Sequence, residues 1–460
     1  MLQSQVLPGP QQQKRIHLST ALPALLAAIA AIFFLIHFLF FRYSFPNVNV
    51  DEASFFSPAH NLAEHGALAS PVHRSFLPGA EAYTYWMPPL YFVLLAGWLK
   101  LAGSTVFAAK LLSFLFSLTT TFLLTRLVHA RRAKLWMSGL FLICPFILIT
   151  SAFIRMEALA LLAISISIVL VKLKSPPYSL ALLAGLCLMT HPLLLACTAA
   201  LALAALQRGW KSFLVFSVVT AVVISPYLIY IFQNTEFFRM QMALQFARKL
   251  KTNLENLQAS YLLQSLPLSI LAFWCLWRGE GSKELKTFLA TCLALTLLII
   301  LKSNEFNYQV YTVPYVLGCL SLMFDRHETV DRIVLPGAVY LFFVVLLFAK
   351  LNKYRFKTDS DYKSVISFLQ QHPTWKGRHI YVGGNPDVAN YFIEKGEDVQ
   401  RQIPIASSAA QLSDQFDYVV EILNGEPVAT DTVSKPWQLW PQHIQFSPGS
   451  GSYVMHVYTK

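Results

Sequence analysis

Long apolar stretches separated by short polar ones dominate this chain. A helix needs about 20 apolar residues to cross the hydrocarbon core of a bilayer, and residues 20–41 supply the first such run. Further apolar runs cover 105–128, 135–150, 158–173, 213–232, 261–277, 288–301, 310–324 and 333–348. Residues 178–206 are too long for one straight span and carry Thr190-His191-Pro192 in their middle. Proline removes a backbone hydrogen bond, so two short helices meeting at that break are expected. Leu90–Ala102 is at the short limit for crossing and is expected to lie in the interface or re-enter. The pattern predicts a mainly α fold, a polytopic membrane helix bundle of about 11 spans.

The polar stretches give the rest of the organisation. Residues 1–18 are rich in Gln and Pro and are expected to form a disordered cytoplasmic tail, with the membrane domain over 19–350. Residues 43–89 form the first loop outside the membrane. Within it Ser57-Pro58 reads as the start of a short interfacial helix ended by Glu64-His65-Gly66. From 351 to 460 the pattern changes to amphipathic helices at 361–371 and 388–394 alternating with strands at 379–382 and 418–422. That alternation predicts a small α/β domain outside the membrane. Gly383-Gly384-Asn385 lacks the third glycine and spacing of a nucleotide loop.

Composition and charge sharpen this picture. Of 460 residues, 55% are hydrophobic and 13% charged, against about 25% charged in a soluble domain. The net charge of +12 is spread through short loops and not gathered in one basic, aromatic-rich domain, so no nucleic-acid partner is expected. All six cysteines fall in or beside apolar runs, without metal or disulfide spacing. Lys14-Arg15 precede the first run and no small-residue cleavage site follows it, so it reads as a retained helix.

Loop charge sets the orientation. Arg126, His129, Arg131, Arg132 and Lys134 form the densest basic cluster between spans, which belongs on the cytoplasmic side. The N-terminus is then inside and the C-terminal domain outside. Arg42, Arg74, Arg155, Arg239 and the 248–251 cluster break the rule by facing outward. An anionic substrate is one explanation for them.

The candidate chemistry starts at Asp51-Glu52, about ten residues beyond the first span. A carboxylate at membrane depth is costly and marks a function by default. Asp51 fits a general base that takes an acceptor's proton, while a basic group stabilises a leaving phosphate. The plain alternative is a capping box formed by Asn49 and Glu52. Arg155 and Glu157 form a second cluster; two residues apart on a helix, they are not expected to pair. Glu157 would face the acceptor and Arg155 a phosphate.

His191 at the helix break is either a neutral core histidine or a phosphate or sugar contact. His60, His65, His73, Glu64 and Glu81 make a divalent cation possible, without tight ligand spacing. His73 and Arg74 are also candidate substrate contacts; Arg239 and the 248–251 cluster read as a face meeting lipid headgroups, with Arg239 also a candidate for the donor phosphate. Tyr83, Tyr85, Trp86 and Tyr91 read as an interface belt before a sugar platform.

With these residues in view, the chain resembles the GT-C superfamily, in its protein O-mannosyltransferase and aminoarabinose lipid A transferase branch. The resemblance lies in Asp51-Glu52-Ala53, Met87-Pro88-Pro89-Leu90-Tyr91, the connection from Leu101-Ala102-Gly103 to Lys110, Arg155-x-Glu157 and Tyr308-x-x-Tyr311-x-x-Pro314. It implies an inverting glycosyltransferase at the outer face of the cytoplasmic membrane, with a polyprenyl-phosphate sugar as donor. It further implies Asp51 as base, Glu52 and Tyr308 at the substrate site, and a lipid, glycan or protein acceptor. Glu157, Met87 and His191 depart from the Asp, Lys and Lys that the family often has there. The rival class is a transporter or flippase of lipid-linked glycans, which should show repeated halves and charges buried in mid-span. Neither is evident.

Overall fold

The computed structural model describes residues 10–41, 51–74, 77–250, 259–303, 306–324, 333–353, 359–383, 387–401, 416–424, 438–439, 444–446 and 453–459. Seventeen α-helices and six strands lie within them. In chain order the helices are α1 (Pro10–Phe41), α2 (Glu52–His65), α3 (Leu90–Ala102), α4 (Val106–Thr125), α5 (Arg131–Ile143), α6 (Pro145–Ser151), α7 (Glu157–Lys172), α8 (Pro177–Thr190) and α9 (Leu195–Gln207). They continue as α10 (Trp210–Gln233), α11 (Thr235–Leu250), α12 (Ala259–Arg278), α13 (Lys283–Ser303), α14 (Thr312–Phe324), α15 (Leu335–Lys353), α16 (Asp359–Gln371) and α17 (Asp387–Glu394).

Every apolar run is helical, and the molecule is a polytopic membrane helix bundle with a small sheet. By length and apolarity, three helices among the described residues can cross a bilayer alone: Thr20–Leu39, Val106–Thr125 and Trp210–Gln233. A fourth span is added if α5 and α6, bent by 67°, count as one. The bend falls at Cys144, where the backbone turns extended just before Pro145, because a residue preceding proline is driven out of the helical region. The other break, expected at Pro192, is present: α8 ends at Thr190 and a 3₁₀ turn, Pro192–Leu194, leads into α9.

Burial separates the middle of the bundle from its rim. Every residue of α14 is buried, which places that helix in the centre. α10 instead exposes Leu214, Val218, Val222, Ile229 and Phe232, a face suited to lipid. α8 and α10 pack with almost no gap: a Cβ on Gly185 would sit 2.5 Å from Val223 Cγ1 and 2.7 Å from its Cβ. Gly185→Ala is therefore expected to cost about 1–3 kcal/mol by overpacking. Val223→Ala in the same chain should restore most of that loss, read as the unfolding midpoint in detergent. An unchanged midpoint in the single variant would refute the close approach.

The first loop differs from expectation in one respect. α2 begins at Glu52, not at Ser57-Pro58, and Pro58 lies inside it. Six residues ahead of the proline are helical because this stretch is held by tertiary contacts, described below. Its end is as expected, with Gly66 left-handed at φ 71° and its N–H bonded to the Leu62 carbonyl. The segment that follows α10 contains α11. The helix α1 starts at Pro10, so part of the stretch 1–18 is helical and residues 1–9 lie outside the described residues.

After α15 the chain builds the α/β part. β1 (Ile380–Gly383) and β3 (Tyr418–Asn424) are adjacent parallel strands, with β2 (Val399–Arg401) on the other side of β1. β6 (Tyr453–Thr459) runs antiparallel to β3, and β4 (Gln438–Leu439) and β5 (Ile444–Phe446) share its far edge. Gly384-Asn385 lie outside the described residues. This unit packs on the first loop. The Glu394 carboxylate accepts from the Val106 backbone N–H at 3.0 Å, satisfying an N-terminal donor of α4. Arg74 meets Asp398 at 3.2 Å.

Candidate active site

α2 and the link between α6 and α7 are joined by the two adjacent carboxylates. Asp51 occupies the N-cap position of α2 but makes no side-chain cap. Glu52 likewise points away from the helix end: its Oε1 accepts from the Ile154 N–H at 2.8 Å and its Oε2 meets Lys110 Nζ at 3.3 Å. Asn49, the other half of the expected capping box, lies outside the described residues. Lys110 belongs to the second turn of α4, and its ammonium also lies 5.5 Å from the Phe153 ring centre.

Arg155 lies between two carboxylates. Its Nε donates to both Glu157 oxygens at 2.9 and 3.0 Å, and Nη2 donates to Oε1 at 2.5 Å. Nη1 donates to Asp51 Oδ2 at 2.9 Å. The expectation that Arg155 and Glu157 do not pair is therefore corrected. It assumed helical spacing, whereas residues 152–156 leave the helix and α7 starts only at Glu157. A planar guanidinium suits this two-sided hold. Burial alone would lower the Arg155 pKa, but the charges of Glu157 and Asp51 outweigh it and drive the value up. The group stays cationic throughout.

Exposure differs sharply within this set. Glu52 and Lys110 are each 3% exposed and Glu157 2%, while Asp51 is 34% exposed. Glu52 meets Lys110, and Glu157 holds Arg155 by a forked bond. Of these carboxylates, Asp51 is the one that reaches solvent. That arrangement suits a base: a negative charge held in place, with an open side for an incoming proton.

The 3₁₀ helix Phe306–Tyr311 lies beside this group, with Tyr311 within reach of the charges of Glu157 and Arg155. The Tyr311 ring stacks on His191, with centroids 5.1 Å apart, and Tyr308 meets His191 edge-on at 5.8 Å. The buried Tyr311 hydroxyl has no hydrogen-bond partner among the described residues. His191 Nδ1 accepts from the Leu193 N–H at 3.1 Å and so caps the restart after Pro192. A neutral ring with this acceptor carries its proton on Nε2.

Asp51, Glu52, Arg155 and Glu157 are thus brought into one group, and His191 and Tyr308 pack against Tyr311 next to it. His73, Arg74 and Arg239 have other surroundings. His73 Nε2 bonds Ser54 Oγ at 2.9 Å, and its ring meets Trp86 edge-on beneath α2. Arg74 pairs with Asp398 of the α/β unit, and Arg239 is exposed on α11. Among the described residues no three His, Cys, Asp or Glu side chains come together as metal ligands. Tyr83 and Tyr85 stack on each other and meet Tyr230 of α10 at tilted angles, so they fasten the loop to the bundle.

Lys110 and Tyr311 were not among the site residues expected from sequence. A lysine inside a span was the available signal for the first. The second had none beyond its place in the Tyr-x-x-Tyr pattern.

No protein-family model matches the chain, and no curated protein matches it in sequence. Comparison with solved structures is more informative. The crystal structure of ArnT from Cupriavidus metallidurans in the apo state superposes with a TM-score of 0.58, over 93% of this chain and 97% of that one, at 11% identity. The fold is that of ArnT. An Archaeoglobus fulgidus oligosaccharyltransferase in the apo form aligns with a TM-score of 0.43 at 13% identity, over 87% of this chain and 69% of that one. Identity this low carries the fold and nothing finer. An ArnT-like fold agrees with the resemblance in the Asp51, Pro-Pro-Leu-Tyr and Arg155 motifs, and the chemistry rests on the residues themselves.

Proposed function

We propose that this ArnT-like membrane protein is an inverting glycosyltransferase that takes a sugar from a polyprenyl-phosphate donor. The acceptor is a hydroxyl or amine of a lipid, glycan or protein at the outer face of the cytoplasmic membrane, and no cofactor has a step in the scheme. The observation that carries the reading is the partly exposed carboxylate of Asp51, held at 2.9 Å by a buried arginine.

Asp51 takes the acceptor's proton as the acceptor atom attacks the anomeric carbon. The bond from that carbon to the phosphate oxygen breaks on the opposite face, and its electron pair leaves with the phosphate. Asp51 loses its negative charge at the moment the phosphate gains one. Arg155 Nη1 can then move from Asp51 to the phosphate, so the cation follows the charge. Glu157 keeps the guanidinium in place through its forked bond. Glu52 and Lys110 hold the 152–156 link against α2 and α4. In this scheme the α/β domain, 351–460, lies outside the membrane.

The test uses the purified full chain in detergent with radiolabelled polyprenyl-phosphate sugars and extracted envelope lipids, glycans and proteins. Release of free polyprenyl phosphate with transfer of label to one acceptor class is expected. Movement of intact donor across a vesicle membrane, with no cleavage by the same preparation, would establish the transporter instead.

A further inference from the structure

α7 joins two charged regions. Its first residue, Glu157, belongs to the carboxylate and arginine group, and its last, Lys172, lines a separate cavity. At 1.5 Å per residue the 16-residue helix sets these ends about 24 Å apart, close to the thickness of a hydrocarbon core. The cavity has a volume of about 420 Å³, within the range of small-ligand sites.

Its walls are cationic and its floor apolar. Arg126 comes from the end of α4, His129 from the following link, Lys134 from the first turn of α5 and Lys172 from α7, over Val128 and Val169. Among the described residues, no carboxylate lines it. Lys172 is fixed by donating to the Leu127 carbonyl, and the Arg126 guanidinium lies 4.6 Å from the Phe122 ring centre. Cations near helix C-termini are favoured by the helix dipole, which accounts for Arg126 and Lys172 but not for a cavity between them and Lys134.

The helix leading to the cavity says which anion fits. Leu115, Leu118 and Phe122 are exposed apolar side chains on α4. At 3.6 residues per turn they fall on the same face as Arg126. An apolar stripe running along a membrane helix into a cationic cavity matches a molecule with acyl chains and an anionic head. A free soluble anion would have no use for the stripe.

The geometry points to a binding site for one acidic phospholipid, its phosphate among Arg126, Lys134 and Lys172 and its chains along Leu115, Leu118 and Phe122. It lies at the opposite end of α7 from Asp51 and is separate from the donor site. The assignment needs only the membrane fold and stands whether or not Asp51 is a base.

The test measures lipid retention by native mass spectrometry on the full chain in detergent, titrated with phosphatidylglycerol or phosphatidylcholine of the same chains. One phosphatidylglycerol should bind in clear preference to phosphatidylcholine. Arg126→Gln with Lys134→Gln should weaken it by about fivefold for each cation removed. Arg131→Gln with Arg132→Gln removes the same charge outside the cavity lining and should leave retention unchanged. Where the double variant has a lowered unfolding midpoint, Lys134→Gln alone is read instead. Equal retention of the two lipids, or equal loss in both variant pairs, would overturn the site. Full displacement of phosphatidylglycerol by millimolar inorganic phosphate would overturn the lipid assignment in favour of a soluble anion.

Discussion

Asp51→Asn is expected to cut sugar transfer by about 10²–10⁴-fold, the usual contribution of a general base. The amide has the shape of the carboxylate, and its oxygen can still accept from Arg155 Nη1, which lies 2.9 Å from Oδ2. The fold should therefore survive, with an unfolding midpoint near that of the wild type. What the amide lacks is the ability to take a proton. Donor binding should change little, so the loss appears in turnover and not in the donor concentration for half-maximal rate. Initial rates of polyprenyl phosphate release for the two proteins decide the matter. Equal turnover would remove Asp51 from the mechanism, while an equal loss of fold and activity would make it a structural residue.

Lys110→Met should have the largest effect on stability. Glu52 and Lys110 are each 3% exposed, and their charged atoms are 3.3 Å apart. Removing one member of a buried pair leaves the other charge without compensation, which costs about 3–5 kcal/mol. The double variant Glu52→Gln with Lys110→Met buries no charge, and Gln can still accept from the Ile154 N–H. It should recover most of the loss, giving a coupling energy well above the few tenths of a kcal/mol expected of independent sites. Loss of helical circular dichroism in mixed micelles titrated with a denaturing detergent measures both. A single variant within about 1 kcal/mol of wild type, the size of a surface pair, would show that this ion pair does not hold α2 to α4.

The two predictions separate roles that the group combines. Asp51 is the open member and affects chemistry; Glu52 and Lys110 are closed and affect the placement of the 152–156 link. Glu157 sits between these cases, since both its oxygens are engaged by Arg155. That makes it a positioning residue in the proposed scheme, where the sequence had suggested a carboxylate facing the acceptor.

How much of this was readable in advance follows from the range of each interaction. Apolar runs, the break at Thr190-His191-Pro192, the end of α2 at Gly66 and the strand at β1 are local features. They depend on hydrophobicity, proline and glycine over a few neighbouring residues, and each is present. Asp51, Arg155, Glu157 and His191 could be singled out as ionisable groups at the ends of apolar runs, because charge there is expensive wherever the chain folds.

Their partnership could not be read in the same way. Asp51 and Arg155 are 104 positions apart, and no periodicity links them. The Arg155–Glu157 fork exists because the backbone abandons helical geometry between α6 and α7, and that departure is held by Glu52 and Lys110 from two other helices. The lone proline inside α2 shows the same limit: local preference favoured a helix beginning at Pro58, and tertiary contacts extended it back to Glu52. The amino-acid sequence by itself determined which segments form apolar helices and which charges must find partners. Only the folded chain decided which charges those partners are, since an ion pair depends on distance in space, and burial makes its geometry count.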